Sequence, residues 1–132
     1  MRIRVGIDLA SVADVRESVV RHADHYLRRV YTKEEVAECG GPTDVDAERL
    51  ASRFAVKEAA MKCLRPAADD AIPWNTIRVH RDEIGTIGLS LSGRAAELAD
   101  AAGICGFEAS LSHEAEFAAA VVIAELDPDE RD

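Results

Sequence analysis

The chain has 132 residues, of which 48% are hydrophobic, enough for one real core and hardly for two, so a single α+β or α/β domain is expected. A formal net charge of -9 argues against a protein that wraps nucleic acid, whose footprint is a basic patch able to displace phosphate counterions. Three cysteines, Cys39, Cys63 and Cys105, are an odd number at irregular spacing with no CxxC pair, which fits a reduced, cytoplasmic protein without a cysteine-based metal site.

RIRVGIDL, residues 2–9, reads as a strand with Gly6 as a bulge or point of close approach and Asp8 near its end. Val12, Val15, Val19, Val20, Tyr26, Leu27 and Val30 then give a helical stripe over about residues 12–29, with a break allowed for around His22 to His25. Thr32 with Glu35 three residues later has the form of a capping box, which opens a short helix near Lys33 that stops before Gly40. GGPTDVD is a loop. Ala47 to Leu64 has the best helix composition in the chain and is closed by Arg65 and Pro66.

After Pro73, WNTIRVHRD reads as a short strand whose Trp74, Ile77 and Val79 reach the core, and IGTIGLSLSG as a second strand around Ile87 to Leu91, the two forming a hairpin. Residues 92–102 read as a helix with Ser92 at its cap position. GFEASLSH and EFAAAVVIAEL read either as two strands or as a strand followed by a partly helical run, because the second is so rich in alanine. The tail, 127–132, is charged and expected to fray. No internal repeat is present, no run approaches membrane-spanning length, and no basic leader precedes an apolar stretch, so a soluble, unprocessed protein is expected.

The segment with most chemistry is RFAVKEAAMKCL, residues 53–64, where Glu58 and Lys62 stand four apart and so share one helix face. Ordinarily such a pair is a solvent-facing ion pair contributing about 0.2–0.5 kcal/mol, and Asp8 alone at a strand end is ordinarily a turn former or cap. Together, two carboxylates from different elements can hold Mg2+, which completes its shell with water and phosphate oxygens, while a lysine neutralises the phosphate. His113, after the apolar strand of SLSH, is by itself more often structural than catalytic. Ser110, Ser112 and His113 lack a GxSxG elbow or an identifiable acidic partner, which disfavours a serine hydrolase. The absence of GxxxxGK[ST] and GxGxxG patterns disfavours nucleoside triphosphatases and dinucleotide binders. Arg16, Arg21, Arg28 and Arg29, set against Asp14, Glu17 and Asp24, make the first helix more basic than the net charge suggests, a pattern that fits either a solvated face or the docking of an acidic protein.

Taken in order, GIDLASV, YTKEE, RFAVKEAAMKCL, WNTIRV, LSGRAAELA and SLSHEAEFAAAVVIAEL resemble the holo-acyl-carrier-protein synthases, the short branch of the 4'-phosphopantetheinyl transferases, over about residues 3–126. The resemblance implies an α+β fold, an antiparallel sheet packed against a long central helix, in one domain spanning 1–126. It implies transfer of phosphopantetheine from coenzyme A to a serine of an apo acyl carrier protein, with release of adenosine 3',5'-bisphosphate. Asp8 and Glu58 match the family's magnesium ligands and Lys62 its phosphate-contacting lysine. Lys57, of the same KEA motif, is expected to orient the substrate or support the site, and His113 to bind coenzyme A phosphate or organise the site. A homotrimer with the nucleotide cleft between subunits is implied, a neighbour adding residues around Arg53 or Ser110, with Arg16, Arg21 and Arg28 facing the carrier.

Two departures stand out. The family commonly has a glycine-containing turn where this chain has Arg65 and Pro66, and often a proline in the strand before the LSG segment, here GTIGLSLSG. A non-catalytic carrier-binding or nucleotide-binding homologue is the alternative these departures suggest, and another metal-dependent phosphotransfer activity a third.

Overall fold

The computed structural model describes residues 2–128 of the chain; of the charged tail, residues 129–132 lie outside the described residues. In chain order the elements are β1 (Arg2–Ser11), α1 (Val12–Val30), α2 (Lys33–Glu38), α3 (Ala47–Leu64), β2 (Ile77–Arg81), β3 (Ile87–Leu91), α4 (Gly93–Ala102), β4 (Ile104–Glu114) and β5 (Phe117–Leu126), with a 3-10 turn at Trp74–Thr76 before β2. β1, β5 and β4 form one antiparallel sheet in that order, and β2 and β3 form the expected hairpin. This is the α+β arrangement expected, with α3 lying across the three-stranded sheet.

Small residues set how closely α3 lies on the sheet. Ala55, Ala59 and Ala60 of the helix and Ala118, Ala120 and Ala124 of β5 are all buried. At Gly6 the approach is closest: a Cβ there would sit 1.8 Å from the Ala59 carbonyl oxygen. The glycine therefore serves close approach rather than a bulge. The same packing resolves the ambiguous alanine-rich segment as strand β5, because a central strand with alternate residues buried against a helix needs small side chains there more than it needs high strand propensity.

Local chemistry places the helix ends. Ser11 caps α1 by accepting from the Asp14 backbone N–H, and Asp46 caps α3 by accepting from Glu48 and Arg49. The break in α1 falls at Ala23, whose φ of 43° and ψ of −121° are a conformation suited to glycine. Arg65 ends α3 in the left-handed conformation, φ 52°, a backbone that glycine adopts at lower cost than arginine. Beyond it, Arg94 of α4 holds Asp70 through contacts of 2.6 to 3.2 Å and so ties the loop at 65–73 to the helix that follows the hairpin. Ser92 occupies the cap position of α4 as expected, though its side chain makes no capping bond.

The outer face of the sheet is apolar and open. Ile3, Val5, Ile7 and Leu9 of β1 are each about half exposed or more, and Phe117 and Ile123 of β5 add to the same exposed set. Alternation puts the even-numbered residues of β1, Asp8 among them, on the side that faces α3.

Candidate active site

Asp8 and the α3 pair meet where β1 crosses the helix. The Lys62 ammonium donates to the Ile7 carbonyl oxygen at 2.6 Å and reaches the Asp8 carboxylate at 3.3 Å, in an ion pair whose side chains are 53% and 18% exposed. Glu58, one turn before Lys62, has its carboxyl pushed up, first by partial burial and then by the negative charge of Asp8, with Lys62 opposing. Two carboxylates thus share one half-open spot, close enough to repel each other, with Lys62 opposing that repulsion. A divalent cation would relieve that repulsion, and two carboxylates leave room for the phosphate oxygens and water that Mg2+ favours. Among the described residues no cluster of three or more His, Cys, Asp and Glu is assembled for a metal, so a tighter all-protein cage is not what this spot provides.

Of the two roles expected of Lys57, orienting the substrate or supporting the site, its surroundings favour the second. It is adjacent to Glu58 in sequence but about 100° round the helix, and it has no exposed surface. Its ammonium pairs with Glu35 of α2 at 2.8 Å and donates to the carbonyl oxygens of Ile77 and Trp74. Burial pulls its pKa down and the Glu35 carboxylate opposes the shift. Lys57 therefore joins α3 to α2 and to the start of β2, bracing the helix that carries Glu58. Glu35 closes the expected capping box with Thr32 and also accepts from the Val79 backbone N–H at 2.8 Å, so one carboxylate organises three elements.

Arg53 and His113 occupy a second region. They line a groove of about 660 Å³ with Glu38, Asp46, Glu48, Arg49, Ser52 and Arg81. Arg53 is almost fully buried and bonds Glu38 at 3.1 Å, while the His113 ring lies 3.5 Å from Glu48. The register places His113 opposite Ala118, and Ala118 opposite Ala10, so β5 separates His113 from the strand that bears Asp8. That is roughly 10 Å across the sheet. Ser110 is exposed and, three residues from His113, points to the opposite, open face, in register with Val121 and Ile7. One chain therefore brings Asp8, Glu58 and Lys62 together and leaves Arg53, Ser110 and His113 apart from them. Arg49 and Arg81 were not singled out in the sequence; Arg49, one turn before Arg53 on α3, was detectable from its spacing, whereas Arg81 at a strand end carries no signal.

On α1, Arg16, Arg21 and Arg28 are exposed, but Arg21 is paired with Glu17 and Arg28 with Asp24, each at 3.1 Å. The surface is less basic than its arginines alone suggest.

A chain with this helix-on-sheet fold and a paired-carboxylate site with an adjacent lysine belongs to the 4'-phosphopantetheinyl transferase superfamily, whose family model matches residues 4–122. Within it the homologues are holo-[acyl-carrier-protein] synthases. The one from Chloroflexus aurantiacus is 43% identical, over 90% of this chain and 95% of its own length, and that of Alkalilimnicola ehrlichii is 37% identical over 95% and 98%. Among solved structures, the Helicobacter pylori holo-[acyl-carrier-protein] synthase in complex with coenzyme A superposes with a TM-score of 0.79 at 30% identity, covering 92% of this chain and all of that one. The Chronobacterium ammoniagenes ACPS-CoA complex gives 0.82 at 26% identity, over 96% and 99%.

Proposed function

We propose that residues 1–126 act as one domain that transfers the 4'-phosphopantetheine group of coenzyme A to a serine of an apo acyl carrier protein in the cytoplasm. The observation that carries this reading is the meeting of Asp8, Glu58 and Lys62 at the crossing of β1 and α3. In the reaction the carrier's serine oxygen forms a bond to the pyrophosphate phosphorus next to pantetheine as its proton passes to a base, the bridging P–O bond breaks, and adenosine 3',5'-bisphosphate leaves with the electron pair.

Asp8 and Glu58 would hold Mg2+, which when bound supplies positive charge to the pyrophosphate oxygens. Lys62, fixed at its amine by the Ile7 carbonyl and Asp8, adds a second positive charge beside them. Burial and then Asp8 raise the Glu58 carboxyl, and a bound cation would lower it, so ligand and base are opposed roles for this one carboxylate.

The open apolar face of β1 and β5 supports a homotrimer in which that face is covered, since monomers rarely leave so contiguous a patch in water. In such an assembly the groove holding Arg53 and His113, together with Ser110 on the open face, would be contributed by a neighbour to complete the coenzyme A site, its charges meeting the phosphates. Arg16, Arg21 and Arg28 would dock the acidic carrier, with Arg21 and Arg28 exchanging Glu17 and Asp24 for carrier carboxylates. Exposed pairs of this kind contribute about 0.2–1 kcal/mol, so the exchange costs little.

The test is intact mass of an apo acyl carrier protein after incubation with this protein, coenzyme A and Mg2+, beside an EDTA sample. A gain of one phosphopantetheine that EDTA abolishes is expected. Asp8→Ala and Glu58→Ala should each lose at least about a hundredfold in rate. Full turnover by either variant would remove the assigned site, and a folded protein giving no mass gain with several carriers would point to the binding-only homologue.

A further inference from the structure

The groove around Arg53 is already filled with its own counter-charges. Of its four cationic or potentially cationic side chains, three face an internal carboxylate: Arg53 with Glu38 at 3.1 Å, Arg49 with Asp46 at 3.8 Å and His113 with Glu48 at 3.5 Å. The Asp46 and Glu48 pairs lie at half-exposed side chains and exchange readily with solvent ions. The Glu38 pair differs. Arg53 has a side chain only 7% exposed, and its Nε is buried without a hydrogen-bond partner. The second Glu38 oxygen faces Arg78 at 3.6 Å, and the Arg78 Nε is likewise buried and unpartnered. One carboxylate at the last residue of α2 thus sits between two guanidiniums, and each keeps a buried donor that this carboxylate does not reach.

From this we propose that Glu38 is a built-in placeholder for a ligand phosphate: it occupies the Arg53 fork when the groove is empty and must be displaced when an anionic ligand enters, so that it sets the affinity of the site. A phosphate group offers more acceptor oxygens and more charge than one carboxylate, and planar guanidiniums with unused N–H groups suit it. The inference rests on the proposed coenzyme A reading for the ligand's identity. The Glu38 contacts themselves do not depend on it.

Calorimetric titration of coenzyme A and of adenosine 3',5'-bisphosphate into wild type, Glu38→Gln, Glu38→Asp and Glu97→Gln tests it. Glu97→Gln makes the same charge change as Glu38→Gln on α4, outside the groove. Glu38→Gln is expected to tighten both ligands by about three- to tenfold, while Glu97→Gln leaves them within twofold. Glu38→Asp keeps the charge but withdraws it by one methylene, and should tighten binding as well. If Glu38→Asp binds like wild type while Glu38→Gln tightens, the effect is general charge and the placeholder role is overturned. Unchanged or weaker binding by a folded Glu38→Gln overturns it too, while wild-type binding and turnover leave the transferase reading standing. Failure of wild type and variants alike to bind either ligand overturns both.

Discussion

Two lysines five residues apart on α3 hold carboxylates in opposite ways. Lys57 and Glu35 have no exposed surface, and their contacts join α2, α3 and β2 into one body. Lys62 and Asp8 meet at a half-open edge, at a looser 3.3 Å, beside a third group, Glu58, that they leave electrostatically unsettled. A buried pair whose every hydrogen bond is used can only support; an exposed pair with a strained neighbour can exchange partners and bind something else. The KEA motif is thus a division of labour, one residue turned inward to brace the helix and the next turned outward to use it.

Breaking the inner pair should give the largest change in stability. Lys57→Met leaves the Glu35 charge buried without its partner, and a loss of about 3–5 kcal/mol is expected in urea unfolding. Replacing both members by apolar residues often restores stability in other proteins, yet here it would take away the side-chain partner of the Thr32 and Val79 N–H groups and of the Ile77 carbonyl. The double variant Glu35→Leu with Lys57→Met should therefore remain destabilised, and full recovery would show that these backbone bonds contribute little.

The outer pair should behave in reverse. Lys62→Ala is expected to change unfolding free energy by less than about 1 kcal/mol, because the pair is largely solvated. In the carrier-modification assay it should lose about a hundredfold in rate, roughly 2.7 kcal/mol of transition-state stabilisation. A variant that is severely unstable but catalytically normal would invert the comparison between the two lysines.

Much of the frame could be read from local chemistry. The capping box at Thr32 and Glu35 and the closing of α3 at Arg65 are each set by residues within a turn of the feature, as are the bounds of α3 and β3. Gly6 was recognisable as a place of close approach. What local pattern could not reveal is which partner a charged residue finds across the fold. Glu35 and Lys57 lie 22 positions apart, and the capping-box and KEA patterns that single each of them out say nothing of the other. The strand identity of β5 was equally hidden, since its alanines make sense only against the helix they admit. At the candidate site, the Glu58 and Lys62 spacing and the Asp8 position were legible, whereas the counter-charged groove of Glu38, Arg49 and Arg81 arises from three elements with no shared motif.

The smallest expected effect gives the finest distinction between the two pairs, because it reads Glu58 alone. Its carboxyl is raised above the ordinary 4.5 in the folded protein, so the folded state holds that proton to higher pH than the unfolded chain does. The stability tied to this group is therefore full below the unfolded value and is lost as pH rises through the folded one. Without divalent metal, Glu58→Gln should be at least as stable as wild type at neutral pH, with the difference vanishing in acid. Lys62 opposes the shift, so Lys62→Ala should push the Glu58 transition further upward. Mg2+ favours the ionised carboxylate, so the gain in Tm it gives wild type should grow with pH and be much reduced in Glu58→Gln. Thermal unfolding from about pH 4 to about pH 8, with EDTA and with Mg2+, measures each of these differences. A metal-free Glu58→Gln less stable than wild type at neutral pH would mean that Glu58 is satisfied by its surroundings, as Glu35 is, and would erase the distinction between a bracing carboxylate and a waiting one.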